Sequence, residues 1–265
     1  MQAEKETKKI SADLSKALLK TYKPQSRVLP KIAAIIKANK KFLLTTHIGA
    51  DADGLGSQMG LYYLLKHLKK DVRIMNNEPV PEYLQGMIPQ KPVEFIGHHS
   101  LSEDQAEKLM SDRYVLILDS SEPHRSDKVG ELFLRLKRPW STIDHHVLPT
   151  KKEFCVDPTY AATAELIWDL YRHMKIPVPK QAALPLYAGA VADSGNFRYP
   201  KTSLRTHLMA GDLISYGIHS DAVFRSIYES NPLDRIKLNA RLYPKVEILK
   251  NKVVVCKVLR SDRDD

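Results

Sequence analysis

Four groups of acidic and histidine side chains have the composition of a metal site. They are His47, Asp51 and Asp53 in THIGADADGLGS, Asp119 in LILDSSE, Asp144, His145 and His146 in TIDHH, and Asp193 in GAVADSGNF. Carboxylates and neutral imidazoles with no thiolate among them suit Mn²⁺ or Mg²⁺ better than structural zinc. Six such side chains are too many for one ordinary ion and about right for a pair some 3.5–4 Å apart. Asp51 and Asp53, two apart in an extended turn, can serve different ions, and Asp119 is the natural bridge between them. Gly49, Gly54 and Gly56 free the backbone to bend there. Each residue also has a plainer role. Asp53–Gly54 makes a turn or a helix cap, Asp119 caps a helix, and His145–His146 is a loop pair, as His98–His99 are taken to be. Four independent clusters at corresponding places in the chain outweigh those separate roles.

The elements around the clusters explain how distant stretches of chain meet. KFLLTTH, DVRIMN, YVLILD and PWSTIDHH read as short apolar strands. PKIAAIIKANK, GLGSQMGLYYLLKHLKK, residues 102–110, VGELFLRLK, residues 161–173, residues 181–192 and SLRTHLMAGDLISYG read as helices. Strands alternating with helices predict an α/β fold with a doubly wound, mostly parallel sheet. Continuous apolar runs such as VLIL fit burial on both faces. Three of the clusters directly follow a strand and the fourth follows an apolar helix-like run. Ligands in such sheets bind at the carboxyl ends of the strands.

The chain has 265 residues, 43% of them apolar and 27% charged, which allows one large domain or two modest ones and excludes global disorder. No run approaches the ~18 apolar residues of a membrane span, and MQAEKETKKI lacks the apolar stretch of a secretory signal. The two cysteines, Cys155 and Cys256, exclude a disulfide scaffold and fit a cytoplasmic location. The net charge of +10 favours polyanionic or phosphorylated partners. Part of that charge sits in residues 1–29, a Lys-rich N-terminal extension with a short helical pattern through Ile10, Leu14, Leu18 and Leu19.

HIGADADGLGS, LILDSSE, IDHH and VADSGNF together resemble the four motifs of the DHH phosphoesterase superfamily, in order and over roughly residues 30–230. Within it, DSGNFRYPKTS is similar to the nanoRNase/pAp-phosphatase branch, which is related to RecJ-type exonucleases. The resemblance implies two Mn²⁺ ions, with Mg²⁺ or Co²⁺ as alternatives. One ion would be held by His47, Asp51 and Asp119, the other by Asp53, Asp119, His145 and Asp193. Asp144 would orient its histidine neighbours and His146 would lie near the phosphate. Ser57 is a candidate for helix capping or substrate contact. Arg198, with Lys201 and Arg205, is a candidate phosphate contact whose plainer reading is a solvated surface. A hydroxide activated by the ion pair would release the ribose 3′ oxygen. That single cleavage accounts for the hydrolysis of very short RNA and of 3′-phosphoadenosine 5′-phosphate.

The resemblance divides the chain into the extension, a DHH domain over residues 30–220, a helical linker over 221–240, and residues 241–265 as an incomplete start of the branch's C-terminal DHHA1 domain. The glycine-rich GGGH-type motif of that second domain does not occur here. Two other readings stay open: a phosphodiesterase of cyclic or linear dinucleotides, and a non-catalytic nucleotide-binding protein. A homodimer is compatible with all of them.

Overall fold

The computed structural model describes residue 17 and residues 19–96, 100–147, 155–250 and 252–262. Ile10, Leu14, Leu18 and the His98–His99 pair lie outside the described residues. The order of elements is α1 (Leu29–Ala38), β1 (Lys41–Thr45), α2 (Ala52–His67), β2 (Asp71–Asn76), β3 (Val93–Phe95), α3 (Glu103–Met110), β4 (Tyr114–Leu118), α4 (Asp127–Arg135), β5 (Trp140–Asp144), β6 (Cys155–Val156), α5 (Thr163–His173), α6 (Lys180–Asp193), α7 (Leu204–Ile214), α8 (Ser220–Phe224), α9 (Leu233–Leu242), β7 (Glu247–Leu249) and β8 (Val253–Val255).

Strands β1 to β6 form one parallel sheet in the order β3-β2-β1-β4-β5-β6. Alternation along the strands supplies two separate cores. Phe42, Leu44, Leu116 and Leu118 face α1, α2, α5 and α6 on one side. Leu43, Val115 and Ile117 face α3 and α4 on the other, against Met110, Val129 and Phe133. Both faces are covered, which is why the strands are apolar throughout rather than alternating.

The strand order reverses between β1 and β4, so their carboxyl ends diverge there and leave a crevice. Helix α2 starts at that crevice and is buried along nearly its whole first three turns, Ala52 to Leu61. It lies hard against α6, and two glycines permit the approach. A Cβ on Gly56 would stand 2.3 Å from the Pro185 carbonyl oxygen, and one on Gly189 would stand 2.8 Å from Asp53 Oδ1.

Residues 19–28, read from composition as part of the extension, pack against the sheet domain. Leu19 and Val28 join the larger core. Tyr22 stacks on Trp168 at 5.6 Å between centroids and donates to Asp169 at 2.9 Å, while Ser26 donates to Asp157. Beyond α7 the chain runs through α8 and a π-helical turn, Arg225–Glu229. It breaks before Pro232, which cannot continue a helix, and resumes as α9. The run expected as a helical linker over residues 221–240 thus consists of α8, the π-helical turn and most of α9. NKVVVCKVL pairs through β8 with β7 as an exposed antiparallel hairpin outside the main sheet.

Candidate active site

Each motif reaches the crevice for a local reason. Thr45 ends β1, and the chain turns through His47 to Asp51, which caps α2. Asp51 Oδ1 accepts from the backbone N–H groups of Asp53 and Gly54 at 2.9 and 3.0 Å. The capping role foreseen for this stretch falls to Asp51, and Asp53 lies in the first turn of α2, fully buried. Asp119 follows β4 with φ of +57°, a left-handed conformation that aspartate tolerates better than most residues. Asp144 ends β5, His145 and His146 follow it, and Asp193 closes α6.

These ends converge. His47 Nε2 lies 3.6 Å from Asp119 Oδ2. His145 Nε2 lies 2.9 Å from Asp193 Oδ2, 3.6 Å from Asp119 Oδ1 and 3.9 Å from Asp53 Oδ2. His47, Asp51 and Asp119 offer ligand atoms within 4.8 Å of one another, as do Asp53, Asp119, His145 and Asp193, and as do Asp119, His145 and His146. Asp119 belongs to all three groups. Ligand sets assigned to two different ions therefore meet at one carboxylate.

The electrostatics of the cluster are those of crowded carboxylates. Burial, then the charges of Asp119, Asp193 and Asp51, raise the Asp53 pKa well above the usual carboxylate range. Burial also raises Asp119, with His47 opposing. The hydrogen bond to Asp119 raises His47. Burial lowers His145, but the facing Asp193 and Asp119 carboxylates carry it above the ordinary histidine value. Asp144 behaves oppositely. Burial opposes its ionisation, yet hydrogen bonds from His146 and Ser121 hold it at about 2. Its Oδ1 also accepts the backbone N–H groups of His145 and His146, at 2.7 and 3.1 Å, and lies 2.7 Å from His146 Nδ1. Asp144 thus fixes both histidines and leaves His146 Nε2 uncommitted on a half-exposed ring.

Several supporting groups escaped the sequence reading. The loop before α5 delivers the Tyr160 carbonyl to His145 Nδ1 at 3.2 Å, and the first residue of α5 delivers Thr163 Oγ1 to Asp119 Oδ1 at 2.9 Å. Helix α5 has Ala162 at its N-cap and no capping side chain of its own. Asp53 takes that place from 110 residues away, accepting from Thr163 N at 2.6 Å and Ala164 N at 2.8 Å. A helix N-terminus favours a negative charge at this point. The one signal in the sequence was an alanine where Ser, Thr, Asp or Asn is usual.

The residues proposed to meet substrate divide. His146 stands at the open side. Ser57 does not: it is fully buried and donates to Asp53 Oδ1 at 3.3 Å, so it supports the cluster from beneath, and the expectation of a substrate contact is corrected. Arg205 is turned inward, lying 3.5 Å above the Tyr160 ring and 3.2 Å from Glu165. Lys201 reaches the His145 carbonyl at 3.4 Å. Arg198 is exposed, and its side chain makes no hydrogen bond or ion pair among the described residues.

The donor set fits divalent cations. Oxygen and imidazole nitrogen donors crowd a site in which no Lys or Arg pairs with Asp51, Asp53, Asp119 or Asp193 among the described residues. His145 Nε2 is buried and satisfies no hydrogen-bond geometry, as a ligand atom awaiting a cation would.

A doubly wound α/β domain with a carboxylate–imidazole centre at its switch point defines the class. Residues 41–190 match the DHH family, N-terminal domain, and the chain belongs to that family. It is similar to the bifunctional oligoribonuclease and PAP phosphatase NrnA of Thermus thermophilus, 31% identical over 193 residues, 71% of this chain and 54% of the relative. The protein of the same name from Bacillus subtilis is 28% identical over 220 residues, 79% of this chain and 63% of the relative. The chain spans between about half and two thirds of the length of these relatives. Its fold is shared with an exopolyphosphatase-related protein from Bacteroides fragilis (TM-score 0.77, 21% identity, 89% of this chain and 70% of that one). A putative family II inorganic pyrophosphatase from Methanococcus jannaschii is a more distant likeness (TM-score 0.55, 17% identity, 81% of this chain and 70% of that one). No helix among the described residues is long and apolar enough to cross a membrane.

Proposed function

We propose that this chain is a divalent-metal-dependent phosphoesterase acting on short oligoribonucleotides and 3′,5′-nucleoside bisphosphates. The observation that carries the reading is Asp119, which adjoins both the His47–Asp51 pair and the Asp53–His145–Asp193 group. His47, Asp51 and Asp119 would hold one ion and Asp53, Asp119, His145 and Asp193 the other, with Mn²⁺ preferred and Mg²⁺ or Co²⁺ as alternatives. Such a pair of ions activates water near neutral pH and offsets charge on phosphoryl oxygens. The chain's own groups do the rest. Asp144 raises the His146 pKa through their hydrogen bond, so His146 can present an Nε2–H to an anionic phosphoryl oxygen. Asp53 and the α5 N-terminus hold one another in register. Lys201, at the His145 carbonyl, places positive charge beside the cluster. The substrate class comes from the relatives, which are named for oligoribonuclease and PAP phosphatase activity.

The test is product analysis with Mn²⁺ on a panel of dinucleotides, cyclic dinucleotides and 3′-phosphoadenosine 5′-phosphate. Nucleoside monophosphates from the linear dinucleotides, and AMP with phosphate from the bisphosphate, are expected. Turnover of cyclic dinucleotides alone would move the reading to a cyclic-dinucleotide phosphodiesterase. No turnover of any member would leave a nucleotide-binding protein.

A further inference from the structure

A cavity of about 910 Å³ opens beside the carboxylate–histidine cluster, with Asp51 in its lining. Asp51 and Ala52, at the start of α2, form one side, and Ala192, next to Asp193, adjoins them. The 3₁₀ turn Glu82–Leu84 forms a second wall. The third comes from the segment between the π-helical turn and the first turn of α9. Ser226 Oγ donates to the Tyr83 carbonyl and ties the second and third walls together. The sequence reading absorbed none of these wall residues other than Asp51.

The chemistry of the walls is specific. Tyr83 is 39% exposed and is the one aromatic residue of the lining. Asn231 and Ser230 offer donors and acceptors suited to the edge of a base. Arg235 is the one cation of the lining, is exposed, and pairs with no carboxylate among the described residues. Glu82 can accept from ribose hydroxyls. A flat π-face, edge-reading amide and hydroxyl groups, and a guanidinium are what single-stranded RNA recognition uses. The volume falls within the range of small-ligand sites.

We infer that this cavity is a nucleoside subsite, in which Tyr83 stacks on a base and Arg235 contacts the phosphate next to it. The inference rests on the phosphoesterase reading for its substrate class and adds the residues that select a nucleotide over other phosphoesters. The cavity touches Asp51, so a nucleoside held there has its phosphate at the metal cluster. Arg235 belongs to α9, so base recognition depends on a segment that lies outside the four motifs.

The test is calorimetric titration of the full chain with the dinucleoside monophosphate ApA in EDTA, which prevents turnover. Tyr83→Ala and Arg235→Met are each expected to weaken ApA binding about 10-fold, the scale of one base stack or one charged phosphate contact. Tyr83→Phe, which keeps the ring, is expected to bind as wild type does. Failure of the wild-type chain to bind ApA, or equal binding by Tyr83→Ala, Arg235→Met and wild type, overturns the inference. Hydrolysis of bis(p-nitrophenyl) phosphate with Mn²⁺, which needs no base, is measured in parallel on the wild-type chain. Its absence in the wild-type chain refutes the phosphoesterase reading, while the ApA titration still decides the subsite.

Discussion

Asp169 on α5 is fully buried, and its Oδ2 accepts hydroxyl hydrogen bonds from Tyr22 at 2.9 Å and Tyr160 at 2.6 Å, while its Oδ1 has no hydrogen-bond partner. Burial pushes its pKa from the ordinary 3.8 up to about 6, and the two hydroxyls and Arg205 only partly oppose this. The folded chain therefore binds a proton here that the unfolded chain releases between about pH 4 and pH 6. Ionisation of Asp169 opposes folding, so the penalty is absent below the unfolded pKa, grows through that window and is complete above about pH 6. A shift of about two pK units corresponds to about 3 kcal/mol at neutral pH. Asp169→Asn removes the ionisation and keeps a carbonyl oxygen to accept from Tyr22 and Tyr160. Its stability relative to wild type is expected to improve by about 2.4 kcal/mol on going from pH 4, where the penalty has just begun, to pH 7.5. Urea denaturation of both proteins at the two pH values, in EDTA, gives the difference directly. The acidic cluster titrates alike in both proteins and cancels. A stability difference that is the same at both pH values would refute the account, because Asp169 would then ionise alike in the folded and unfolded chains.

Three further expectations concern the site and its support. Asp119→Asn should lower Mn²⁺-dependent hydrolysis more than about 100-fold while raising the melting temperature of the metal-free protein, because it relieves repulsion among buried carboxylates; kinetics and thermal melts in EDTA check the two halves, and a lower metal-free melting temperature would contradict the second. Gly189→Ala places a Cβ 2.8 Å from both Asp53 Oδ1 and the Ala164 Cβ, and should destabilise by about 1–3 kcal/mol and weaken Mn²⁺ binding in calorimetry; wild-type values for both would mean that α2 and α6 can part freely. Tyr22→Phe should cost about 1 kcal/mol in denaturant unfolding, and no loss would show that residues 19–28 contribute nothing to the folded unit through this bond.

Much of this arrangement was legible in the sequence. The apolar strands β1, β2, β4 and β5 were long enough to show, and so were the helices between them. The strands β3 and β6, three and two residues long, carry no periodicity to detect; pairing with a longer neighbour makes them strands. The packing of residues 19–28 was hidden because a lysine-rich stretch reads as solvent-exposed, whereas Tyr22 and Ser26 are the residues that anchor it. Ser57 misled for a related reason. A serine one turn into a helix after a metal motif looks accessible, and only the depth of α2 buries it.

By itself the sequence determined the chemistry of the centre. It supplied carboxylates and imidazoles without thiolates in four separate stretches, three at the ends of predicted strands and one at the end of a helix-like run. Tertiary structure decided which of them meet. The reversal of strand order between β1 and β4 opens the crevice. The left-handed turn at Asp119 and the missing cap of α5 then bring Asp119 and Asp53 to partners 44 and 110 residues away. Contacts at such separations depend on how helices and strands pack, which local spacing does not encode. The same holds for the cavity between Asp51 and Arg235, whose walls come from three segments with no common motif.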